Sequence, residues 1–257
     1  MYRKTAPINL IKYIIFYVFL LLLWQFIVAL KIWPEYMVPS PISVGKSLFL
    51  GFSDKSFMIG IFISLKRLFL GYGIAIIFGA IFGVLLFKYN TLNDLLGGLI
   101  LGLQTMPSIC WFPLALLWFG LSEWAIIAVV IAGSLFSIIM TVNSSIRNMT
   151  PIILSAGRNL GARKLKMLFW VMLPSVTPSL VIGLRQSWSF AWRSLMAGEL
   201  IFNGLGIGYL LNMGRELNDM SRVIAVMFVI AAISLIFDKL LFGEAERFIK
   251  TRWGSIK

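Results

Sequence analysis

The sequence is poor in charged residues and in the side chains that most enzymes use for catalysis. Only 13% of its 257 residues are charged and 60% are hydrophobic, whereas a typical soluble domain carries about 25% charged residues. Histidine is absent and Cys110 is the single cysteine. These absences argue against hydrolytic triads and zinc sites and exclude an intramolecular disulfide. We therefore expect an integral membrane protein with no catalytic residues, metal or cofactor.

The excess of basic residues does not predict a nucleic-acid-binding surface. The net charge is +13, from 23 basic and 10 acidic residues. A nucleic-acid-binding protein would concentrate its Lys and Arg residues on one face or in one block. Here they are distributed between long apolar runs, so we expect a lipid bilayer as the partner and no nucleic acid.

Six stretches are long and apolar enough to cross a bilayer, which takes about 20 residues. Uncharged runs cover 13–30, 68–87, 95–122 and 124–146, and less clear spans lie near 177–200 and 222–242. We expect an all-α integral membrane fold in one transmembrane domain over 1–257. Its parts are an N-terminal helix at about 11–30, interpreted as retained and not as a signal peptide, and a core of five helices at about 60–245.

The third run contains two prolines, Pro107 and Pro113. Proline removes a backbone donor and clashes with the preceding turn, so we expect a helix that ends near Met106, followed by a short apolar segment ending at Gly120. Irregular backbone within a membrane is buried in protein or lines a cavity. This segment is therefore a candidate wall of a pathway.

The distribution of basic residues predicts the orientation of the chain. If the N-terminus is cytoplasmic, the inner segments contain 14 basic residues and the outer segments seven, among them Lys66 and Arg67 before the second span. By the positive-inside rule, this twofold excess predicts that both termini are cytoplasmic.

Small residues recur every fourth position in the second span, at Gly71, Ala75, Gly79 and Gly83. Such a stripe lets another helix approach closely in lipid. We expect the stripe to pack against a helix of the same chain; a seam between two copies is the alternative.

Two glycine-containing segments resemble nucleotide-binding motifs but lack required positions. Residues 45–47 read Gly-Lys-Ser, yet Ser40 stands where a phosphate-binding loop needs its first glycine. Gly204, Gly206 and Gly208 lack the third glycine spacing of a dinucleotide fingerprint. We interpret both segments as turns and expect no ATP site in this chain.

A long polar insertion follows the fourth span, at about 143–175. From Thr150 as N-cap and Pro151 as first helical residue we expect a helix at 152–159, a turn at Gly161 and a second helix from Ala162 to Met172 that Pro174 ends. A helix–turn–helix with an apolar face could dock into a groove on a cytoplasmic partner. A solvated loop packed on its own bundle is an equal alternative.

The segment from Leu154 to Ala162, followed by Met172-Leu173-Pro174, resembles the EAA loop of ABC-importer permeases. Gly161 and the Leu-Pro pair match that family's pattern, whereas Ser155 stands in place of its usual Glu and Gly157 in place of its second Ala. Further similarities, in the same order, are to the nitrate, sulfonate and taurine branch: 39–41, 107–120, 183–185, 191–192, Glu199 and 204–206.

The resemblance implies a type I ABC importer permease fold with a cytoplasmic coupling helix between the fourth and fifth spans. It implies two cytoplasmic ATP-binding subunits, a second permease copy, an extracytoplasmic solute-binding protein and a location in the plasma membrane of a bacterium. The implied cargo is a small anion, such as a sulfonate, taurine or nitrate, moved by alternating access. ATP hydrolysis would belong to the separate ATPase. The implied coupling residues are Ser155, Ala156, Gly157, Gly161, Ala162, Leu173 and Pro174.

The fifth span carries an unusual set of polar and aromatic residues. At 100° per residue, Arg185, Trp188, Trp192 and Glu199 fall on one face, and Gln186, Ser189 and Arg193 on a second. Intramembrane charges normally face a bundle interior or a wet cavity. Our hypothesis is that both faces line the translocation path and that Arg193 or Arg185 binds the anionic group of the solute.

Structural roles are the alternative for these residues. Arg185 could hold the coupling loop, Glu199 could anchor an outer loop, and the tryptophans could pack or lie at an interface.

Two other functions fit the sequence less well than an importer permease. A stand-alone secondary transporter would show an inverted repeat and proton-relay carboxylates, but we find no repeat and only Glu199 well inside a span. A membrane-embedded enzyme would need clustered catalytic side chains, which the composition does not offer.

Overall fold

A computed structural model of the chain describes residues 6–202 and 204–253, which are helical apart from short connections. The helices are α1 Ala6–Ala29, α2 Pro41–Ser53, α3 Ser56–Lys88, α4 Asn90–Thr105, α5 Phe112–Phe119, α6 Glu123–Arg147, α7 Pro151–Asn159, α8 Lys164–Lys166, α9 Leu173–Ile201, α10 Ile207–Glu216, α11 Met220–Phe237 and α12 Glu244–Trp253. A 3-10 turn, Ser108–Trp111, precedes α5. The π-helical segments Met167–Met172 and Asp238–Gly243 join α8 to α9 and α11 to α12.

The expected all-α membrane fold is confirmed. Five helical stretches are long and apolar enough to span a membrane: Lys12–Ala29, Ser56–Lys88, Glu123–Arg147, Met167–Ile201 and Met220–Ile249. A bent pair, α4 and 108–119, which lie at 104° to each other, gives a sixth span when the two pieces are counted as one broken span. The bend lies at Met106, as the prolines predict, and α5 ends at Gly120, whose φ of 62° ends the helix.

Two predicted helix ends are wrong. Helix α3 begins at Ser56 and not near 68, so Arg67 lies inside a helix, where ion pairs compensate its charge. Pro174 does not end the second helix of the insertion, because the chain continues through it into the fifth span. The π-helical segment precedes this proline, and the Ser175 and Thr177 hydroxyls donate to main-chain carbonyls one turn earlier, at 2.6 and 2.8 Å.

The core is built on the close, parallel packing of α3 against α6. A Cβ atom added to Gly79 would lie 2.6 Å from Ile138 Cγ2, and one added to Gly83 would lie 2.6 Å from Val142 Cβ. The predicted packing of the glycine stripe within the chain is therefore confirmed. Helix α9 runs antiparallel along another face of α6, where the Ser187 hydroxyl donates to Ser137 Oγ at 2.9 Å.

The interpretation of both glycine-containing segments as turns is only partly right. Residues 45–47 lie inside α2, which starts with Pro41 and is capped by the Ser40 hydroxyl. Residues 204–206 do form a connection, but Gly208 already belongs to α10.

The bundle has two ends, named here by their short helices. The α10 end holds the first turns of α3 and α6, and the α7 end holds their last turns. Helix α1 packs loosely on the rest: Trp24 donates to the Pro39 carbonyl at 3.1 Å and its ring lies 6.3 Å from that of Phe228. Three of the basic residues used to predict the orientation, Arg3, Lys4 and Lys257, lie outside the described residues.

Candidate translocation site and coupling helix

The bend of the broken span opens a cavity of about 340 Å³ against α6 and α9. Its lining residues come from the three elements: 103–109 and Trp111 from the broken span, Ala132 and Gly133 from α6, and Phe190, Arg193 and Ser194 from α9. The helices α6 and α9 meet closely behind it, because a Cβ on Gly133 would lie 1.9 Å from Ser194 Oγ. The proline-broken segment thus lines a cavity, as expected from the sequence.

Arg193 is the charged side chain of this cavity. Its Nε donates to the Ser189 carbonyl at 3.1 Å, and its guanidinium carbon lies 4.9 Å from the centre of the Phe190 ring. Among residues 6–202 and 204–253, Arg193 has no carboxylate partner. Within the same part of the chain, the buried Oε1 of Gln104 also lacks a hydrogen-bond donor. The guanidinium thus lacks a counter-ion, and a buried amide oxygen beside it lacks a donor, within the described residues.

The structure separates the two predicted faces of α9. Gln186, Ser189 and Arg193 are exposed on the outside of this chain, whereas Trp188 and Trp192 are buried in its interior. The centre of the Trp188 ring lies 5.2 Å from that of the Tyr72 ring and 5.4 Å from that of the Phe69 ring. For the two tryptophans, the geometry favours the packing role over contact with a solute.

Arg185 lies on the buried face but near the α7 end, and it pairs with the last span. Its Nε donates to Asp238 at 2.7 Å, and its Nη1 donates to Glu246 at 2.8 Å. Arg185 therefore anchors α9 to the end of α11 and to α12 rather than to the insertion. Asp238 is thus the partner of an arginine on a neighbouring span.

Glu199 is fully buried and belongs to an ionic cluster at the α10 end. Arg67 Nη1 donates to its carboxylate at 3.0 Å, so it does not face the cavity of Arg193. The sequence offered one signal for this pair: Glu199 is a charge well inside a predicted span.

The insertion forms the predicted helix, and its end is a Schellman motif. The N–H of Ala162 donates to the Gly157 carbonyl at 2.9 Å and that of Gly161 donates to Arg158 at 3.0 Å. This motif needs a left-handed residue, which Gly161 supplies with φ of 78°. Gly157 faces the π-helical segment, and a Cβ there would lie 3.0 Å from both methyl groups of Val171.

The outer surface of the insertion is exposed and partly apolar. Ser155 and Ala156 face away from the bundle, and Leu160 is 88% exposed. Ala162 and Pro174 are half-buried, and Leu173 is exposed. Helix α7 is thus held on one side by Gly157 and presents the other side to a partner.

A second cavity, of about 380 Å³, lies at the α7 end and was not expected from the sequence. It is open, and hydroxyl groups of α6 and α9 line much of it, among them Thr141, Ser144, Ser175 and Ser179. Serine and threonine are too common in membrane helices to mark such a place in a sequence. It lies on the same pair of helices as the first cavity.

Residues 71–242 match the family described as the binding-protein-dependent transport system inner membrane component. The chain belongs to this family. Relatives include a protein of Methanocaldococcus jannaschii, provisionally named an ABC transporter permease protein, with 33% identity over 73% of this chain and 71% of its own. The taurine transport system permease protein TauC of Escherichia coli is 26% identical over 85% of this chain and 82% of its own.

A third relative, the nitrate import permease protein NrtB of Synechocystis, is 25% identical over 74% of this chain and 70% of its own. The predicted resemblance is thereby confirmed. The chain is a multi-span permease component of an ABC importer, and it is not an enzyme, since ATP hydrolysis belongs to a separate subunit. Permeases of this family work with ATPase and binding-protein partners.

Proposed function

We propose that this permease carries a small anionic solute across the membrane by ATP-driven alternating access, along the exposed polar face of α9. The observation that carries the proposal is Arg193, an intramembrane cation that lines a cavity and has no carboxylate partner among the described residues. A charge in that position is costly unless a wet cavity or a counter-ion compensates it. A planar sulfonate, carboxylate or nitrate would supply paired acceptors for the guanidinium.

The path extends from the Arg193 cavity along Ser189 and Gln186 towards the hydroxyl-lined cavity at the α7 end. Because this face is exposed on the single chain, it must be covered by something other than lipid tails. We infer that a second permease copy covers it and that the path lies between the two copies. Arg185, Trp188, Trp192 and Glu199 then support the path from behind.

The test is uptake of labelled taurine and labelled nitrate in cells that lack their own carriers for these anions and express the complete importer. We expect Arg193→Leu to abolish uptake and Arg193→Lys, which keeps the charge, to retain part of it. Both variants should assemble normally, since the hydrogen bond and ring contact of the side chain are with Ser189 and Phe190 of its own helix. Normal uptake of every transported anion by Arg193→Leu would remove this residue from the path.

We further propose that α7 is the coupling helix and that its end of the bundle is cytoplasmic, together with both termini. Helix α7 would insert into one of two ATPase subunits, and a binding protein would deliver the solute at the α10 end. Apolar groups such as Leu160 would fill a groove on the ATPase. The substitution of Ser155 for the family's Glu removes a charge from this contact and leaves its shape.

Coupling is tested by co-purification with the importer's ATPase. Leu160→Ser should reduce recovery of the ATPase, and Gly161→Asp should reduce it more strongly, because a left-handed aspartate also strains the Schellman motif. Leu121→Ser is the matched control, since Leu121 is 80% exposed at the opposite end of the bundle. Equal recovery with all three variants would contradict the docking role of α7.

A further inference from the structure

An ionic cluster at the α10 end joins the segments that surround the Arg193 cavity. Arg67 of α3 is its centre. The Nη1 group of Arg67 donates to Glu199 at 3.0 Å and to the Leu205 carbonyl at 2.8 Å, and its Nη2 group donates to Glu123 at 3.0 Å. One side chain thus holds the last turn of α9, the connection to α10 and the first turn of α6.

The part of the cluster around Glu199 is buried. From α9, Glu199 caps the start of the neighbouring helix α10. The Gly208 N–H donates to Glu199 Oε2 at 3.0 Å, and the Ile207 N–H donates to Ser64 Oγ at 2.9 Å. The Ser64 hydroxyl in turn donates to both oxygens of Glu199, at 2.7 and 2.8 Å. A carboxylate at this position satisfies free amides of the helix start and complements its dipole.

Glycine is needed where α10 meets this carboxylate. A Cβ on Gly206 would lie 2.6 Å from the carboxyl carbon of Glu199, and one on Gly208 would lie 2.5 Å from its Cβ. Two of the three glycines that resemble a dinucleotide motif, Gly206 and Gly208, are therefore explained by the buried carboxylate. Removing one partner of such a buried pair lowers the equilibrium constant for folding by a factor of about 100 or more. The contact between Arg67 and Glu199 therefore stays formed in the folded protein.

The contact between Arg67 and Glu123 differs from the contact with Glu199 because it is open to solvent. The Glu123 side chain is 51% exposed, whereas that of Arg67 is 3% exposed. Glu123 is the first residue of α6 and follows directly after the turn that ends α5. An ion pair with one exposed partner shifts an equilibrium by only about two- to fivefold. This contact can break without disturbing the buried one.

The cluster also reaches the broken span through Phe202. The Arg67 guanidinium lies 6.0 Å from the centre of the Phe202 ring, and Phe202 packs against the cluster that Phe112 and Ala115 of α5 form with residues of α6. Phe112 directly follows Trp111, which lines the Arg193 cavity. Glu199 and Arg193 are six residues apart on α9, which is about 9 Å along the helix axis.

We propose that Arg67 is a positioning residue that controls access to the Arg193 cavity from the α10 end. Its contact with Glu199 fixes α10, and its breakable contact with Glu123 holds the start of α6, against which α5 and Trp111 pack. Loss of the Glu123 contact lets the start of α6 and α5 shift, and with α5 the adjoining Trp111, which lines the cavity. The proposal rests on the proposed function only in taking this cavity as part of the solute's path.

The test measures how fast a cysteine in the cavity is modified by a membrane-impermeant maleimide in the complete importer, reconstituted without nucleotide. The reporter is Ser108→Cys, in a background where Cys110→Ser removes the single native cysteine. Glu123→Gln should increase the rate of modification about two- to fivefold. Glu123→Asp should restore the wild-type rate, and Glu35→Gln, an exposed carboxylate before α2, is the matched control.

Thermal stability of the same samples separates positioning from loss of structure. An increased rate for Glu123→Gln at an unchanged melting temperature supports the proposal. The wild-type rate for Glu123→Gln would overturn it, and so would an increase accompanied by a lower melting temperature. Because no solute or ATP is needed, this outcome is independent of the uptake results for Arg193→Leu.

Discussion

The packing of α3 on α6 can be tested with two glycines of one helix. At Gly79, a Cβ would lie 2.6 Å from Ile138 Cγ2, whereas at Gly73 nothing lies within 4 Å of the added atom. Alanine at either position gains about the same helix propensity, up to ~1 kcal/mol. Only Gly79→Ala must also separate the two helices, and overpacking of this kind costs about 1–3 kcal/mol.

The difference between the two variants isolates the packing cost. In a protein of this size, 1 kcal/mol corresponds to roughly 2–4 °C in melting temperature, so Gly79→Ala should melt about 2–12 °C below Gly73→Ala. The assay is thermal unfolding of the purified permease in detergent, followed by tryptophan fluorescence, at a fixed protein concentration.

A seam between two permease copies predicts a different result. If the glycine stripe held two copies together, Gly79→Ala would shift the oligomeric state and leave the melting temperature of the isolated chain equal to that of Gly73→Ala. Equal melting temperatures would therefore refute the assignment of this stripe to packing within the chain.

Two further predictions concern α9. Trp188→Ala should lower the free energy of unfolding by about 3–5 kcal/mol, because it empties the centre of an aromatic cluster. Trp118→Ala, at a side chain that is 68% exposed, should change the free energy of unfolding by less than about 0.5 kcal/mol. Denaturation in detergent measures both variants. Arg185→Gln should release the C-terminal helix and speed proteolysis within it, and Asp238→Asn should have the same effect; proteolysis no faster than in the wild type would deny this ion pair an anchoring role.

Features with a local cause could be predicted from the sequence. The bend at Met106 follows from the missing N–H group of Pro107, and the turn at Gly161 follows from the backbone that glycine alone adopts freely. The stripe from Gly71 to Gly83 follows from the periodicity of a helix. In each case the residues that determine the structure are neighbours along the chain.

Features that depend on distant partners were missed. The start of α3 was placed after Arg67 because an unpaired charge usually marks the edge of a membrane span. Its partners Glu123 and Glu199 are 56 and 132 residues away in the sequence, and no local pattern connects them. Pro174 predicts a helix end for a different reason, the lack of its N–H group. That prediction is wrong because the hydroxyls of Ser175 and Thr177 and the preceding π-helical segment together let the helix continue.

The same limit explains why periodicity grouped the residues of α9 correctly but could not say which face is buried. Each face carries one arginine, and an arginine in a membrane helix requires compensation in either position. Asp238, 53 residues away, compensates Arg185, and no carboxylate of the described residues compensates Arg193. The two arginines therefore differ in what the rest of the chain supplies. The one that the chain leaves without an anion is the one for which an anion from outside the chain is the natural partner.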